Sequence, residues 1–357
     1  MEYNFFISIK EVESKMGKIK LTGQPNVMKE VNRSLIKEAL IKAETATRVE
    51  LSQMTKVSQP TVNAIIKQML ESSEVKELGY GLSSGGRKAM RYGFNHEITC
   101  IAAVILSSVK MQYEIADLSG KSMERAVIAI NQGKSYVQNL NELVKRLLKK
   151  NQYIKGLTIG VPAAVSGTGE VFAIPQIPEL EGCNLKEMLE RDFHIHVKVV
   201  NDINTTAYGY YCIGIDTKMD DMVFIHAGAG LGASMIINGR VLNGFSSFAG
   251  EIGYMQINSG QEVQRTFEVS SLQEKTGIIS RIVVNIICLV NPPLIVLGGT
   301  DISTEMVEKI KTYCIDSIPS GMIPNLMVLE DEEKYYLEGA VQTAVSSVGE
   351  GIRLVVG

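Results

Sequence analysis

The chain has 357 residues, of which 45% are apolar and 21% are charged. This length predicts two or three domains, and the composition excludes a collagen, a disordered tail and a low-complexity array. The most apolar stretch, residues 282–297, is interrupted by two asparagines and two prolines, so it falls short of the roughly 20 apolar residues of a membrane-spanning helix. Charged residues precede any apolar segment at the N-terminus, and we therefore expect no signal peptide.

Charge and cysteine content indicate where the protein works. Residues 1–95 hold 15 Lys and Arg against 10 Asp and Glu, a charge of +5, while the whole chain carries −3. A basic small segment joined to an acidic large one indicates that only the first part meets a polyanion. The five cysteines are odd in number and never paired as C-x-x-C, which predicts a reduced, cytoplasmic protein with small buried cysteine side chains.

Residues 32–55 carry the patterns of two helices. Apolar residues from Leu35 onward recur at helical spacing up to residue 43, which predicts one amphipathic helix. A second helix is predicted to begin at Thr47, because Thr47 and Glu50 form a capping box. We expect its apolar contacts to come from Val49, Leu51 and Met54.

A third helix is predicted after a short turn at residues 56–57. Ser58 is placed to cap it, and Pro60 is tolerated in the first turn, where its missing N–H has no partner within the helix. One face is apolar, and the other presents polar side chains suited to base edges and phosphates. These are Gln59, Thr61, Asn63 and Lys67. Two helices joined by a tight turn predict a helix-turn-helix.

Residues 75–94 predict a two-stranded hairpin, because the stretch is rich in glycine and basic residues and ends in alternating large side chains. Such a hairpin completes a winged helix-turn-helix, which we expect over residues 1–95. Arg87 and Lys88 follow two glycines, and we expect them at phosphates or in a narrow minor groove. A three-helix packing module that binds no nucleic acid is the alternative.

From about residue 96 short apolar strands alternate with helical and glycine-rich segments, which predicts an α/β domain over residues 96–357. Strands are expected at residues 157–161, 197–200, 222–225 and 294–297. Ligands of α/β sheets bind beyond the carboxyl ends of such strands. Asn201 and Asp202 follow the second of them, where Asp202 can accept hydrogen bonds from ligand hydroxyls, act as a general base, or cap a helix.

Further candidate residues follow. The glycines of residues 228–232 predict either a phosphate-binding turn or a plain tight turn, and Asn238-Gly239 predicts a hairpin. Glu251 lies between glycines that leave room for a ligand, and Glu268 is either a third acceptor or a surface glutamate. Several carboxylates and an asparagine in one cleft suit a polyhydroxylated ligand. The expected ligand is a sugar.

Together these motifs resemble the ROK family of repressors, open reading frames and sugar kinases. The resemblance rests on Gly85-Gly86-Arg87, Gly160-Val161-Pro162-Ala163, Asn201-Asp202, and residues 228–232 and 249–253, in this order. It implies an actin-like, two-lobed sugar kinase/hexokinase fold, with a C-terminal helix from about residue 337 that returns to the first lobe. It also implies sugar contacts by Gln176 in place of an asparagine, and by Asn201, Asp202, Glu251 and Glu268.

Three departures from the family pattern bear on cofactors. Residues 104–109 read Val-Ile-Leu-Ser-Ser-Val instead of the kinases' Asp-x-Gly-x-Thr-Lys phosphate loop, and Ala229 replaces a threonine of the second glycine turn. We therefore expect no ATP and no catalytic residue, with Asp202 as a ligand anchor. Tyr254 replaces the zinc-binding histidine, and residues 255–271 contain no cysteine, so we expect no structural zinc and a Tyr254 hydroxyl that faces the sugar.

The leading hypothesis is a sugar-responsive transcriptional repressor. Because operators match the two-fold axis of a dimer, we expect a homodimer or tetramer on a palindromic double-stranded DNA site, and no membrane partner. The alternatives are a sugar kinase with an appended DNA-binding domain, and a repressor whose cleft no longer binds sugar and answers to a protein partner. Residues 1–25 suit an extra helix, a dimer contact or a flexible arm. His194 and His196 are expected on a strand and, with His226, in structural roles.

Overall fold

The computed structural model describes residues 25–80, 89–95, 99–215, 219–228, 230–258 and 261–349. Contacts divide this part of the chain into two compact units, one ending at Phe94 and the other running from Asn95 to Val348. Each unit has its own sheets and its own buried core.

The N-terminal unit combines three helices with a small antiparallel sheet. Its elements are α1 (Pro25–Ala43), β1 (Thr45–Thr47), α2 (Arg48–Thr55), α3 (Gln59–Glu71), β2 (Val75–Tyr80) and β3 (Met90–Phe94). The strands pair in the order β1-β3-β2. The hairpin of β2 and β3 is therefore joined by a strand that the sequence pattern did not indicate. Helix α1 begins at Pro25, earlier than predicted.

The local signals of the helix-turn-helix are confirmed. The Thr47 hydroxyl accepts from the backbone N–H of Glu50 at 3.2 Å, and the Glu50 carboxylate accepts from the backbone N–H of Thr47 at 2.7 Å. Ser58 caps α3 by accepting from the backbone N–H of Thr61 at 3.4 Å. Lys56 makes the turn between α2 and α3 with a left-handed φ of 58°.

The predicted apolar contacts of α2 are wrong in part. Leu51 is its one buried residue, whereas Val49 and Met54 are 47% and 50% exposed, and Leu35 of α1 is 40% exposed. Val49 lies two positions from Leu51, which is about 200° around the helix, so the two side chains point in opposite directions. Helix α2 has eight residues and buries the side chain of one of them. Its other two predicted apolar contacts therefore remain exposed.

The larger unit contains two five-stranded sheets with the same strand order. The first comprises β4 (Cys100–Leu106), β5 (Lys110–Asp117), β6 (Ser122–Ala129), β7 (Ile154–Val161) and β10 (His196–Asn201). The second comprises β11 (Met222–Ala227), β12 (Leu231–Ile237), β13 (Arg240–Val241), β16 (Leu294–Gly298) and β17 (Asn325–Val328). Their orders are β10-β7-β4-β5-β6 and β13-β12-β11-β16-β17. In each sheet the first three strands along the chain pair antiparallel, in sequence order. The fourth strand pairs in parallel with the first, and the fifth pairs in parallel with the fourth.

Short strand pairs and seven helices complete the described part of this unit. The pairs are β8 (Ala164–Val165) with β9 (Val171–Phe172), and β14 (Gln256–Asn258) with β15 (Gln261–Glu262). The helices are α4 (Tyr136–Lys150), α5 (Leu185–Phe193), α6 (Asp202–Ile213), α7 (Val263–Val269), α8 (Leu272–Val290), α9 (Thr304–Ser317) and α10 (Glu332–Gly349). Side chains of α4 and α5 form one core with the first sheet, and those of α7, α8 and α9 form another with the second sheet. The unit therefore has two lobes.

Helix α10 leaves the second lobe and packs on the first, as the resemblance implies. It begins at Glu332, about five residues before the predicted position. Tyr336 lies so close to Gly160 of β7 that a methyl group there would sit 2.7 Å from the ring. A methyl group at Gly339 would lie 1.9 Å from the backbone oxygen of Thr205, so α6 and α10 cross with their backbones nearly in contact.

Most other local expectations for this unit are confirmed. The four predicted strands correspond to β7, β10, β11 and β16, and Asn238 and Gly239 turn between β12 and β13 with left-handed φ values of 50° and 71°. His194, however, ends α5 with a left-handed φ of 53° and does not lie on a strand. Among the described helices, none is long and apolar enough to span a membrane.

The expectation that the cysteines are buried is confirmed for two of them. All five are free thiols, and Cys100 and Cys314 are buried, but Cys183 is half-buried and Cys212 and Cys288 are exposed. Both exposed thiols lie in the last turns of their helices, α6 and α8, where the helix end leaves the core.

Candidate functional site

Helix α3 presents a polar face beside its buried one. Val62, Ile65, Ile66 and Met69 are buried, while Gln59, Asn63 and Lys67 are exposed. These three follow one another at four-residue spacing and so share a face. Thr61 is half-buried, with its hydroxyl 2.8 Å from that of Ser58. Lys67 Nζ lies 3.9 Å from Glu71 Oε1, and both side chains are largely exposed, so this pair holds Lys67 weakly.

The hairpin beside α3 is tied to the helices through Arg91, which the sequence analysis did not single out. Its Nε donates to Thr45 Oγ1 at 3.0 Å and its Nη2 donates to the Thr45 carbonyl at 2.7 Å. Its Nη1 also lies 3.6 Å from Glu50 Oε2. Arg91 therefore fixes β3 against β1 and the start of α2. Arg87 and Lys88, which lead into this strand, lie outside the described residues.

In the larger unit, Asn201 and Asp202 lie where β10 ends and α6 begins. Asn201 is the helix cap, because its Oδ1 accepts from the backbone N–H of Asn204 at 2.9 Å. Its Nδ2 donates to the Ala163 carbonyl at 2.9 Å and to Asp202 Oδ1 at 3.0 Å. The same Oδ1 accepts from the backbone N–H of Ile203 at 2.8 Å. The capping role offered for Asp202 thus belongs to Asn201, which also orients the Asp202 carboxylate.

A cavity of about 290 Å³ opens beside Asp202, between elements of both lobes. Its apolar lining residues come from the end of β4, from β11 and from α6. Its polar groups come from β5, α6, β11 and α10. The lining residues are Ile105, Leu106, Ser107, Lys110, Gln112, Asp202, Ile203, Thr206, Phe224, His226, Glu332, Glu333 and Tyr336.

His226 and Glu332 form a hydrogen-bonded pair in the lining of this cavity. His226 Nδ1 lies 3.2 Å and 3.0 Å from the two carboxylate oxygens of Glu332. Burial opposes the charge on His226, but the hydrogen bond and negative charge of Glu332, helped by Asp202 and Asp301, raise the pKa of His226 above its ordinary value. The pair joins the end of β11 to the start of α10, and so links the second lobe to the helix that packs on the first.

The Asp202 carboxylate is poorly solvated. Burial raises the pKa of Asp202 to about 6, with a further rise from the charge of Glu332 and an opposing effect from His226. A carboxylate whose pKa is raised in this way, at the edge of a cavity, is a candidate functional group. It gains most from a ligand that donates hydrogen bonds to it.

Glu251 sits on a loop held against β12. The Gly250 carbonyl accepts from the backbone N–H groups of Ala233 at 2.8 Å and Ile252 at 2.7 Å. Gly250 has a left-handed φ of 94°, and a methyl group there would lie 2.0 Å from the Ala233 oxygen. Glycine is therefore required at this position. Glu251 is half-buried, and burial raises its pKa.

Tyr254 follows on the same loop. Its backbone N–H donates to the Glu251 carbonyl at 3.1 Å. Its ring is 57% exposed and packs against Phe248, with the ring centroids 5.3 Å apart. With a phenol here and no cysteine in residues 255–271, the loop does not supply the donors of a tetrahedral zinc site. The described residues contain no group of three or more His, Cys, Asp or Glu placed to hold a metal.

Glu268 and Gln176 are both exposed. Glu268 accepts from Gln264 Nε2 at 2.7 Å, and Gln264 Oε1 accepts from the backbone N–H of Leu231 at 2.9 Å. Gln264, which the sequence analysis missed, therefore links Glu268 to the start of β12. Gln176 lies in a turn closed by the bond from the Ile177 N–H to the Ile174 carbonyl at 3.1 Å.

The six predicted sugar contacts fall into separate groups in this structure. Asn201 and Asp202 are bonded to each other, and Glu251 and Tyr254 share one turn. Of the six, all within the described residues, Asp202 alone lines the 290 Å³ cavity. The cavity is lined instead by His226 and Glu332, which are not among the six. These two residues are 106 positions apart in the sequence, so no local pattern indicated that they pair. The sequence did place His226 at the end of a strand.

Comparison with known proteins gives the setting for these residues. The sequence profile described as the ROK family matches residues 106–266. A xylose repressor from Caldicellulosiruptor bescii is 26% identical over 249 residues, which is 68% of this chain and 62% of that protein. The matching part of the chain thus spans less than two thirds of this relative's length.

Two solved structures establish the fold. A ROK family transcriptional regulator, described as a homologue of the Escherichia coli MLC protein, superposes with a TM-score of 0.70 and 16% identity, over 89% of this chain and 97% of that chain. A ROK hexokinase from Thermus thermophilus superposes with a TM-score of 0.60 and 16% identity, over 71% of this chain and 100% of that one. The two lobes of the larger unit are therefore the actin-like fold that the resemblance to the ROK family implies.

Proposed function

We propose that the chain, whose residues 106–266 match the ROK family profile, is a transcriptional repressor whose N-terminal unit binds operator DNA and whose ROK domain binds a sugar. The observation that carries this proposal is the exposed polar face of α3 within a capped helix-turn-helix, on the same chain as the family domain. A relative named as a xylose repressor supports it.

On the DNA side, we assign base-edge contacts to Gln59, Thr61 and Asn63, whose amide and hydroxyl groups both donate and accept hydrogen bonds. We assign contacts with DNA phosphates or with a DNA groove to Lys67, Arg87 and Lys88. The operator is a palindrome bound by a homodimer or tetramer, because one recognition helix per protomer reads one half-site. A regulator of this kind acts in the cytoplasm.

On the effector side, the sugar is held by hydrogen-bond acceptors of the ROK domain. Asn201 already orients the Asp202 carboxylate, and Glu251 projects from a loop whose backbone is fixed on β12. The proposed contacts are Gln176, Asn201, Asp202, Glu251, Tyr254 and Glu268. Lobe closure around the sugar would bring these groups together, and a sugar that binds one conformation better changes the geometry available for DNA.

We further propose that the domain binds its sugar without phosphorylating it. Phosphoryl transfer depends on positioned cations and hydrogen-bond donors around the phosphates. The cavity beside Asp202 offers instead the apolar Ile105 and Leu106, with the carboxylates of Glu332 and Glu333. Asp202 then serves as a ligand anchor. We also propose that the Glu251 loop is ordered by its bonds to β12 and by packing of Tyr254 on Phe248, without zinc.

The test of the repressor proposal is selection of genomic fragments of the source organism by the purified full-length protein at near-physiological salt, followed by sequencing. We expect enrichment of one palindrome, and its release or tightening by a sugar in a gel-shift titration. Gln59→Ala with Asn63→Ala should abolish enrichment, while Asn285→Ala, on an exposed position of α8, should leave it unchanged.

Three results would contradict the proposal in whole or in part. Fragments bound with no sequence preference would make the N-terminal unit something other than an operator reader. Turnover of ATP with any member of a hexose panel, lost in Asp202→Asn, would make the domain a kinase instead. An operator that responds to no sugar would favour the repressor that answers to a protein partner.

A further inference from the structure

The cavity beside Asp202 has an excess of acidic groups over free basic ones. Lys110 is ion-paired with Glu333, and His226 is hydrogen-bonded to Glu332 through Nδ1. Both basic side chains of the lining are therefore already engaged by glutamates. Within the described residues Asp202 has no ion-pair partner of its own, and its bonds from Asn201 and Ile203 both go to Oδ1.

The cavity also has apolar lining residues. They are Ile105 and Leu106 from the end of β4, Ile203 of α6 and Phe224 of β11. A volume of about 290 Å³ is at the small end of ligand pockets and suits a molecule of monosaccharide size. A lining with both acidic and apolar side chains suits a sugar ring, which has hydroxyl groups on its edge and C–H groups on its faces.

We propose that this cavity holds an unphosphorylated end of the effector, with hydroxyl or ammonium donors directed at Asp202, and that it excludes a phosphate ester there. This inference rests on the proposed function, because it takes a sugar as the effector. It adds the chemical class of that sugar, which the predicted contacts do not specify.

Electrostatics sets the selectivity. A phosphate group would place a charge of about −1.5 to −2 in a space partly shielded from water, where the three carboxylates of Asp202, Glu332 and Glu333 outnumber the two basic side chains of the lining. Like charges at such distances repel strongly where the effective dielectric constant is low. A hydroxyl donor satisfies Asp202 at no such cost, and an ammonium group adds attraction to a charge-assisted hydrogen bond.

The test is isothermal titration calorimetry of the full-length protein with matched pairs of ligands. The panel is D-xylose, D-glucose, D-glucosamine and N-acetyl-D-glucosamine, each as the free sugar and as its phosphate esters. We expect at least one free sugar to bind, its esters to bind at least tenfold more weakly, and glucosamine to bind at least as tightly as glucose.

Variants tie the selectivity to the cavity. Glu333→Gln keeps the size of a side chain in the cavity lining but removes its negative charge, so the preference for the free sugar should narrow several-fold. Asp202→Asn should weaken the free sugar at least tenfold. The matched control is Glu305→Gln, the same chemical change on an exposed residue of α9 that is paired with Lys309 at 2.7 Å, and it should leave the preference unchanged.

The outcomes separate this inference from the proposed function. Esters that bind as tightly as the free sugars, equal preferences in Glu333→Gln and Glu305→Gln, or no binding by any member of the panel would each overturn the inference. Operator selection is scored independently of calorimetry. Operator binding without any sugar binding leaves a DNA-binding regulator with a different effector, whereas the expected sugar preference without an operator refutes the repressor and keeps the cavity assignment.

Discussion

Asp202→Asn is expected to make the protein more stable at neutral pH while it removes sugar binding. The substitution keeps the size of the side chain and its Oδ1 acceptor, which receives bonds from Asn201 and Ile203. It removes a charge that the surroundings oppose. Burial raises the pKa of Asp202 from its ordinary 3.8 to about 6, and Glu332 adds to the rise, although His226 opposes it.

The magnitude follows from linkage between protonation and folding. A rise of about two pKa units at roughly 1.4 kcal/mol each corresponds to about 3 kcal/mol. Because the folded-state pKa lies above the unfolded one, this contribution to stability is complete below pH ~4 and is lost as the pH rises through about 6. Asparagine does not titrate, so its advantage should be fully present at pH 7.5 and should vanish toward pH 4.

Thermal unfolding followed by circular dichroism between pH 4.5 and pH 8 measures this effect. For a domain of this size each kcal/mol moves Tm by about 2–4 °C, and we expect Asp202→Asn to raise Tm by several degrees at pH 7.5. Asp316→Asn is the matched control, because Asp316 is exposed on α9 and its replacement should change stability by less than about 0.5 kcal/mol.

Two results would refute the reasoning. A variant less stable than the parent at pH 7.5 would mean that the attraction between Asp202 and His226 outweighs the cost of burial. A Tm difference that stays constant across the pH range would mean that Asp202 is not the group that titrates. Higher stability combined with lost sugar binding would identify a charge retained for function at the expense of stability.

Three further predictions concern the backbone and the DNA face. Thr47→Ala removes the capping box of α2 and should destabilise the N-terminal unit by about 1 kcal/mol in thermal unfolding; an unchanged transition would contradict the cap's role. Gly250→Ala places alanine in a left-handed conformation and its methyl group against the Ala233 oxygen, so calorimetry should show loss of sugar binding. The control is Gly277→Ala on α8, where an added methyl group meets nothing within 4 Å. This second variant should stabilise the protein by about 0.5–1 kcal/mol. Lys67→Ala should lower the salt slope of operator binding by about 1 without changing sequence preference; a changed preference would place Lys67 at a base.

What the sequence determined by itself is local. The caps at Thr47 and Ser58 involve atoms within three residues of each other, and the turn at Asn238-Gly239 needs only its own two backbones. Such interactions are encoded where they form, so a pattern of neighbouring residues was sufficient to predict them. The same is true of the strand before Asn201 and the helix after it, because hydrophobic spacing and a cap define both. The order of these local motifs also led to the family and hence to the two-lobed fold.

Tertiary structure decided what depends on distant partners. Val49 and Met54 are exposed because packing leaves α2 one inward position, and β1 exists because β3 pairs with it from 46 residues away. The pairing of His226 with Glu332 spans 106 residues, and it turns the end of β11 into one wall of a cavity. Contacts of this kind arise when lobes pack, so the charge environment of Asp202 belongs to the fold and could not be read from the residues next to it.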